Sequence, residues 1–86
     1  MTKDGKFTGI IENISMGGFF LRTNNRIKVG EKIAVEIVLQ NDLRNMNIIS
    51  NATVIGIEEN GIAFKFEQME HYNYWTLHSY LHYVNA

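Results

Sequence analysis

Residues 32–40 alternate strictly, with Ile33, Val35, Ile37 and Leu39 facing one way and Lys32, Ala34, Glu36, Val38 and Gln40 the other. A period of two marks a half-buried strand. Residues 46–57 are β-branched and apolar, with Ile48, Ser50, Ala52, Val54 and Gly56 on one face and Ile49, Thr53, Ile55 and Ile57 near the other. Shorter apolar runs at 7–14, 19–23 and 62–66 read as three more strands, with Gly9 as a bulge in the first. Between them lie a polar loop at Asn24-Asn25-Arg26, a connector at 27–31 closing on Gly30, and a turn at 41–45. Asn60-Gly61 suits the type I′ turn of a hairpin. From Met69 onward the period changes: Tyr74, Leu77, Leu81 and Val84 are spaced 3, 4 and 3, a helical stripe. The pattern predicts a mainly β fold, a small antiparallel β-barrel of five to six strands over about residues 7–67. One C-terminal α-helix over about residues 69–84 then covers an opening or an edge of it.

Composition narrows the class. The 86 residues make one domain, with hydrophobic residues at 45%. Such a chain buries only about 60–65% of its unfolded surface, so its core is modest. There is no Cys, hence no disulfide and no thiolate metal site. The net charge of −1 provides no bulk attraction to nucleic acid or to an anionic membrane. No run approaches the ~18 apolar residues of a membrane span, and residues 1–8 hold no signal-peptide core, so the expected location is the cytoplasm without membrane insertion.

The turn Asn13-Ile14-Ser15-Met16-Gly17-Gly18 interrupts two apolar runs with short polar side chains and adjacent glycines. Turn chemistry accounts for it in one way: Asn13 caps, Ser15 bonds backbone, and Gly17 and Gly18 supply positive φ. A ligand accounts for it in another: Asn13 and Ser15 meet a base edge or phosphate oxygens, and the glycines admit close approach of backbone.

The segment Asn13-x-Ser15-x-x-Gly18 resembles the (Asp/Asn)-x-Ser-x-x-Gly signature of PilZ domains. The apolar strand after the glycines, Val29-Gly30-Glu31 before an alternating strand, and Gly61-Ile62-Ala63-Phe64-Lys65-Phe66 are also similar, so the likeness covers roughly residues 7–84. It implies a six-stranded antiparallel barrel with a terminal helix. It further implies a regulatory binding module, whose ligand in many members is the bacterial second messenger cyclic di-GMP. Binding members carry an Arg-x-x-x-Arg motif before the first strand, and this sequence has Lys3 and Lys6 there instead, with its first arginine at Arg22. Arg bridges phosphates bidentately and stacks on guanine, whereas Lys is a hydrated point charge. The ligand-binding candidates are therefore Asn13, Ser15, Gly17, Gly18 and Arg22, the last sharing a strand face with Gly18 and Phe20. Arg26 reads as solvated charge in its loop.

Residues 71–86 contain no Asp, Glu, Lys or Arg. Opposite the apolar stripe stand Tyr72, Trp75 and Tyr83, where a solvated helix normally carries charge. Aromatic residues with polar tips favour interfaces, so these three are the candidate contacts for a protein partner or a homodimer. His71, His78 and His82 share one face of the same helix. His71 lies about 10 Å along the axis from His78, and no acid or thiol completes a set, so no metal site is predicted. No nucleophile, base or acid pair forms a recognisable catalytic arrangement, and neither enzymatic activity nor a cofactor is expected. Two alternatives remain: a PilZ-like interaction domain that does not bind the nucleotide, and a small barrel that binds single-stranded nucleic acid. The near-neutral charge opposes the second, and Phe19-Phe20 reads as too apolar for a stacking platform.

Overall fold

The computed structural model describes residues 9–40 and 45–84, with side chains as far as residue 82. Five strands and one helix follow in order: β1 (Ile10–Ile14), β2 (Gly18–Arg22), β3 (Lys32–Gln40), β4 (Asn45–Glu58), β5 (Gly61–Phe66) and α1 (His71–Val84). The strands form one antiparallel sheet in the order β1-β2-β5-β4-β3, curled into a half-barrel. Among the described residues β1 and β3 are its two edges. The first predicted strand begins at residue 7, and residues 7 and 8 lie outside the described part, as do 41–44 of the predicted turn and Lys3 and Lys6.

The alternation read from β3 and β4 is the one that builds the core. Ile37, Leu39, Ile48, Ala52 and Val54 are buried and meet Phe19 of β2, Ile62, Phe64 and Phe66 of β5, and Leu77 of α1. Phe19 stacks on Phe64 with ring centroids 4.7 Å apart and touches Phe66 at 5.3 Å, an aromatic trio that anchors the start of β2.

Three local expectations change. The bulge in β1 falls at Glu12, between the paired positions Ile11 and Asn13, and not at Gly9. Gly9 instead lies against β2, where an added Cβ would be 2.5 Å from the Arg22 carbonyl oxygen. The β4–β5 turn has Glu59 and Asn60 at its centre, with Glu58 paired to Gly61. Among the described residues Gly30, at φ +95°, alone has positive φ, so this turn is not type I′. Gly61 is needed for space: an added Cβ would clash with the Leu21 carbonyl oxygen and lie 2.6 Å from the Phe20 ring.

β4 has 14 residues and serves two neighbours, pairing with β3 up to Thr53 and with β5 from Ala52 onward. Because β5 ends at Phe66, residues 45–51 have no strand on that side among the described residues. The chain itself covers this edge. The Glu67 amide donates to the Asn51 carbonyl at 2.8 Å, and the Ile49 amide donates to Asn73 Oδ1 at 3.0 Å. A helix laid along an open edge satisfies ladder groups that otherwise invite another strand. The hydrogen bond also rotates the helix. Leu77 is fully buried, Asn73, Tyr80 and Leu81 are half-buried, and Tyr74 is 43% exposed. The inward stripe is thus Asn73-Leu77-Tyr80-Leu81, correcting the predicted placement of Tyr74.

Candidate functional site

The Asn13–Gly18 turn connects β1 to β2, with Ile14 paired to Phe19. The Ser15 amide donates to the Gly18 carbonyl at 2.9 Å, leaving Met16 and Gly17 at the tip. Ser15 Oγ accepts from the Gly17 amide at 3.2 Å and points its hydroxyl toward the Gly18 carbonyl at 3.5 Å, a long contact. A second tie reaches across the sheet: the Phe66 amide donates to the Gly17 carbonyl at 2.9 Å. The tip is therefore pinned to the end of β5.

The two glycines do different jobs, and neither supplies positive φ. A Cβ on Gly18 would run into the Phe64 carbonyl oxygen and come within 3.1 Å of Lys65 Cα, so Gly18 permits β2 to pair with β5. Gly17 faces open space, with Ser15 Oγ at 3.9 Å the nearest atom to an added Cβ. Asn13 is exposed, and its side chain makes no hydrogen bond among the described residues, so it does not cap the turn.

Beside the turn lies an open groove of about 570 Å³ on the outer face of the sheet. Asn13, Ser15, Gly17 and Gly18 line one side; Phe20, Ala63 and Lys65 form the floor; Glu12, Glu58 and Asn60 stand at the margins. The structure thus brings together four of the five candidate ligand residues. Arg22 lies outside this lining. It sits four residues beyond Gly18 on β2, about 13 Å along the strand at ~3.3 Å per residue. Among the described residues it meets the groove through Glu12, with Nη1 4.0 Å from the carboxylate. Both side chains are about half exposed, so this pair contributes little to stability.

Sequence reasoning did not single out Lys65, Glu12 or Glu58, and it set Phe20 aside, together with Phe19, as too apolar for a stacking platform. Phe20 was accessible through strand alternation, since it shares a face with Gly18. Lys65 was not, because its place opposite Gly18 depends on the pairing of β2 with β5. Within the groove two carboxylates, Glu12 and Glu58, outnumber the single ammonium of Lys65.

On α1 the second candidate surface is exposed. Tyr72 is 75% and Trp75 57% accessible, and the Tyr83 side chain lies outside the described residues. Trp75 meets Tyr74 edge-on at 5.6 Å and His78 at 5.3 Å, so the three rings form one cluster. Among the described residues no three His, Asp or Glu side chains gather at a metal-binding distance. None of their helices is long and apolar enough to cross a membrane.

The family model of the PilZ domain matches residues 1–82. The chain belongs to the PilZ family. Comparison with curated proteins returns no match. The PilZ family consists of binding and regulatory domains and is not a known family of enzymes; at family level this chain is a module of the cyclic di-GMP receptor type. The PilZ signature and the groove coincide: every residue of Asn13-x-Ser15-x-x-Gly18 that the signature specifies lines it.

Proposed function

We propose that this PilZ domain is a regulatory receptor module that takes cyclic di-GMP in the groove beside the Asn13–Gly18 turn. The observation that carries the proposal is the division of labour in that turn. Gly18 is consumed by strand pairing, while the Asn13 amide makes no hydrogen bond among the described residues and lines the groove. An amide offers both donors and an acceptor, the combination that a guanine edge demands. Ser15 already accepts from Gly17, and its hydroxyl proton, held only by the long contact to Gly18, can turn to a ligand oxygen. The doubly anionic ligand then needs positive charge. Lys65 provides one unit inside the groove, Arg22 stands behind Glu12, and Lys3 and Lys6 precede β1 in sequence. With lysines in place of an arginine pair, the expected affinity is modest and falls steeply with salt. Calorimetric titration with cyclic di-GMP at low and physiological salt tests this. A folded sample that gives no heat at low salt removes the receptor reading.

A second reading is favoured by the aromatic cluster on α1: a domain that acts through a protein partner, independently of nucleotide. Tyr72, Tyr74 and Trp75 expose large apolar area on a helix with no charged residue to solvate it. The occupant consistent with a face of rings, imidazoles and Ser79, which carries no Asp, Glu, Lys or Arg for a charged partner to complement, is a second copy of the same face. Sedimentation of the wild type against Trp75→Glu tests it. The expected result is a dimer that the variant abolishes, and a wild type that stays monomeric at high concentration rejects this reading.

A further inference from the structure

We infer that Phe20 is the base-stacking platform of the groove, an assignment that rests on the nucleotide reading above. Phe19 and Phe20 are adjacent but take opposite faces of β2. Phe19 enters the core, while Phe20 is half-buried on the outer face and lines the groove. Its position is set by Gly61. The Cε2 and Cζ atoms lie 2.6 Å from where a Cβ on Gly61 would stand, so the ring occupies the space of the missing side chain and buries that glycine. The ring is therefore fixed against the sheet instead of projecting from it.

Its neighbours on β2 and β5 are small. Its cross-strand partners are Ala63 on β5 and Asn13 on β1, and Gly18, the next residue on the same strand face, has no side chain at all. One more position along, Lys65 stands opposite Gly18. Same-face neighbours on a strand are about 7 Å apart. A planar base laid on Phe20 thus has the signature turn beside it and an ammonium within reach of its phosphate. Stacking suits this place because every base has a π-face and an aromatic ring needs no charge to hold it.

A purely architectural role is the competing account, since an aromatic ring over a glycine also protects a sheet. Ligand titrations of three variants separate the two. Phe20→Leu keeps apolar cover over Gly61 but removes the π-face, and the expected result is about tenfold weaker binding of cyclic di-GMP, with Phe20→Tyr within about twofold of wild type. Phe20→Trp adds a reporter whose fluorescence guanine quenches, against the Trp75 background of the wild type. It serves also if the leucine variant unfolds. Wild-type binding with unchanged affinity in a folded Phe20→Leu, or with no added quenching in Phe20→Trp at saturation, overturns the platform alone. A wild type that binds no cyclic di-GMP overturns the nucleotide reading and the platform with it.

Discussion

Gly17 and Gly18 are neighbours in one turn, yet alanine at the two positions has opposite expected effects. At Gly18 a methyl group meets backbone, the Phe64 carbonyl and Lys65 Cα, which cannot rotate away. Forcing an extra methyl into such a contact costs about 1–3 kcal/mol. Because φ is not positive there, alanine also gains about 0.4–1 kcal/mol by restricting the unfolded chain. The net loss is about 1.3 kcal/mol at mid-range and up to about 2.6 kcal/mol, against a total stability of about 4–13 kcal/mol for a domain of this length. At Gly17 the methyl group finds only Ser15 Oγ at 3.9 Å, so the unfolded-state gain stands alone. In thermal melts followed by circular dichroism, Gly18→Ala should lower Tm by about 5–10 °C at the mid-range loss and Gly17→Ala should raise it by about 2–8 °C. Equal destabilisation by the two substitutions would refute the reasoning, because it would mean that the turn needs glycine for positive φ after all. The same pair tests the site: Gly17→Ala, fully folded, should weaken cyclic di-GMP binding if the ligand approaches the tip closely.

Other outcomes follow from the same contacts. Leu77→Ala removes the fully buried helix side chain and should cost about 2–5 kcal/mol in urea unfolding, enough to detach α1 first. Asn73→Ala strips the Ile49 amide of its acceptor; a loss of about 0.5–1.5 kcal/mol and faster exchange of that amide by NMR are expected. Glu12→Gln removes a carboxylate from the groove and releases Arg22, so cyclic di-GMP affinity should rise about twofold at low salt and converge with wild type at high salt.

Where local chemistry decides the structure, the sequence was a sufficient guide. The strand at Lys32–Gln40 was read to its ends because one of its faces turns inward throughout, half-buried at Ile33 and Val35 and buried at Ile37 and Leu39. The inward set Ile48, Ser50, Ala52 and Val54 was legible for the same reason. Where two distant segments meet, it was not. Gly18 and Gly61 look like turn glycines and serve as clearances between β2 and β5, strands separated by the rest of the sheet's chain. The helix was found but wrongly rotated. With no charge on either side to mark the solvent face, hydrophobic spacing turned Tyr74 inward, whereas the Ile49 amide, donating to Asn73 Oδ1, turns Asn73 inward instead. Four of the five ligand candidates lie together because the hairpin holds them locally; Arg22 is separated from them by the length of β2.

The pairing of β2 with β5 also orders events in time. Every other ladder joins strands that follow one another along the chain, whereas this one joins residues about forty or more positions apart. By loop-closure entropy it is expected to be the slowest contact to form, with the β1–β2 hairpin and the β3–β4–β5 meander assembling first and zipping together last. The groove lies across that seam, with its turn on one half and Lys65 on the other. Neither half alone holds a binding surface, and a ligand seated there would act as a clasp, slowing unfolding by holding shut the last seam to close.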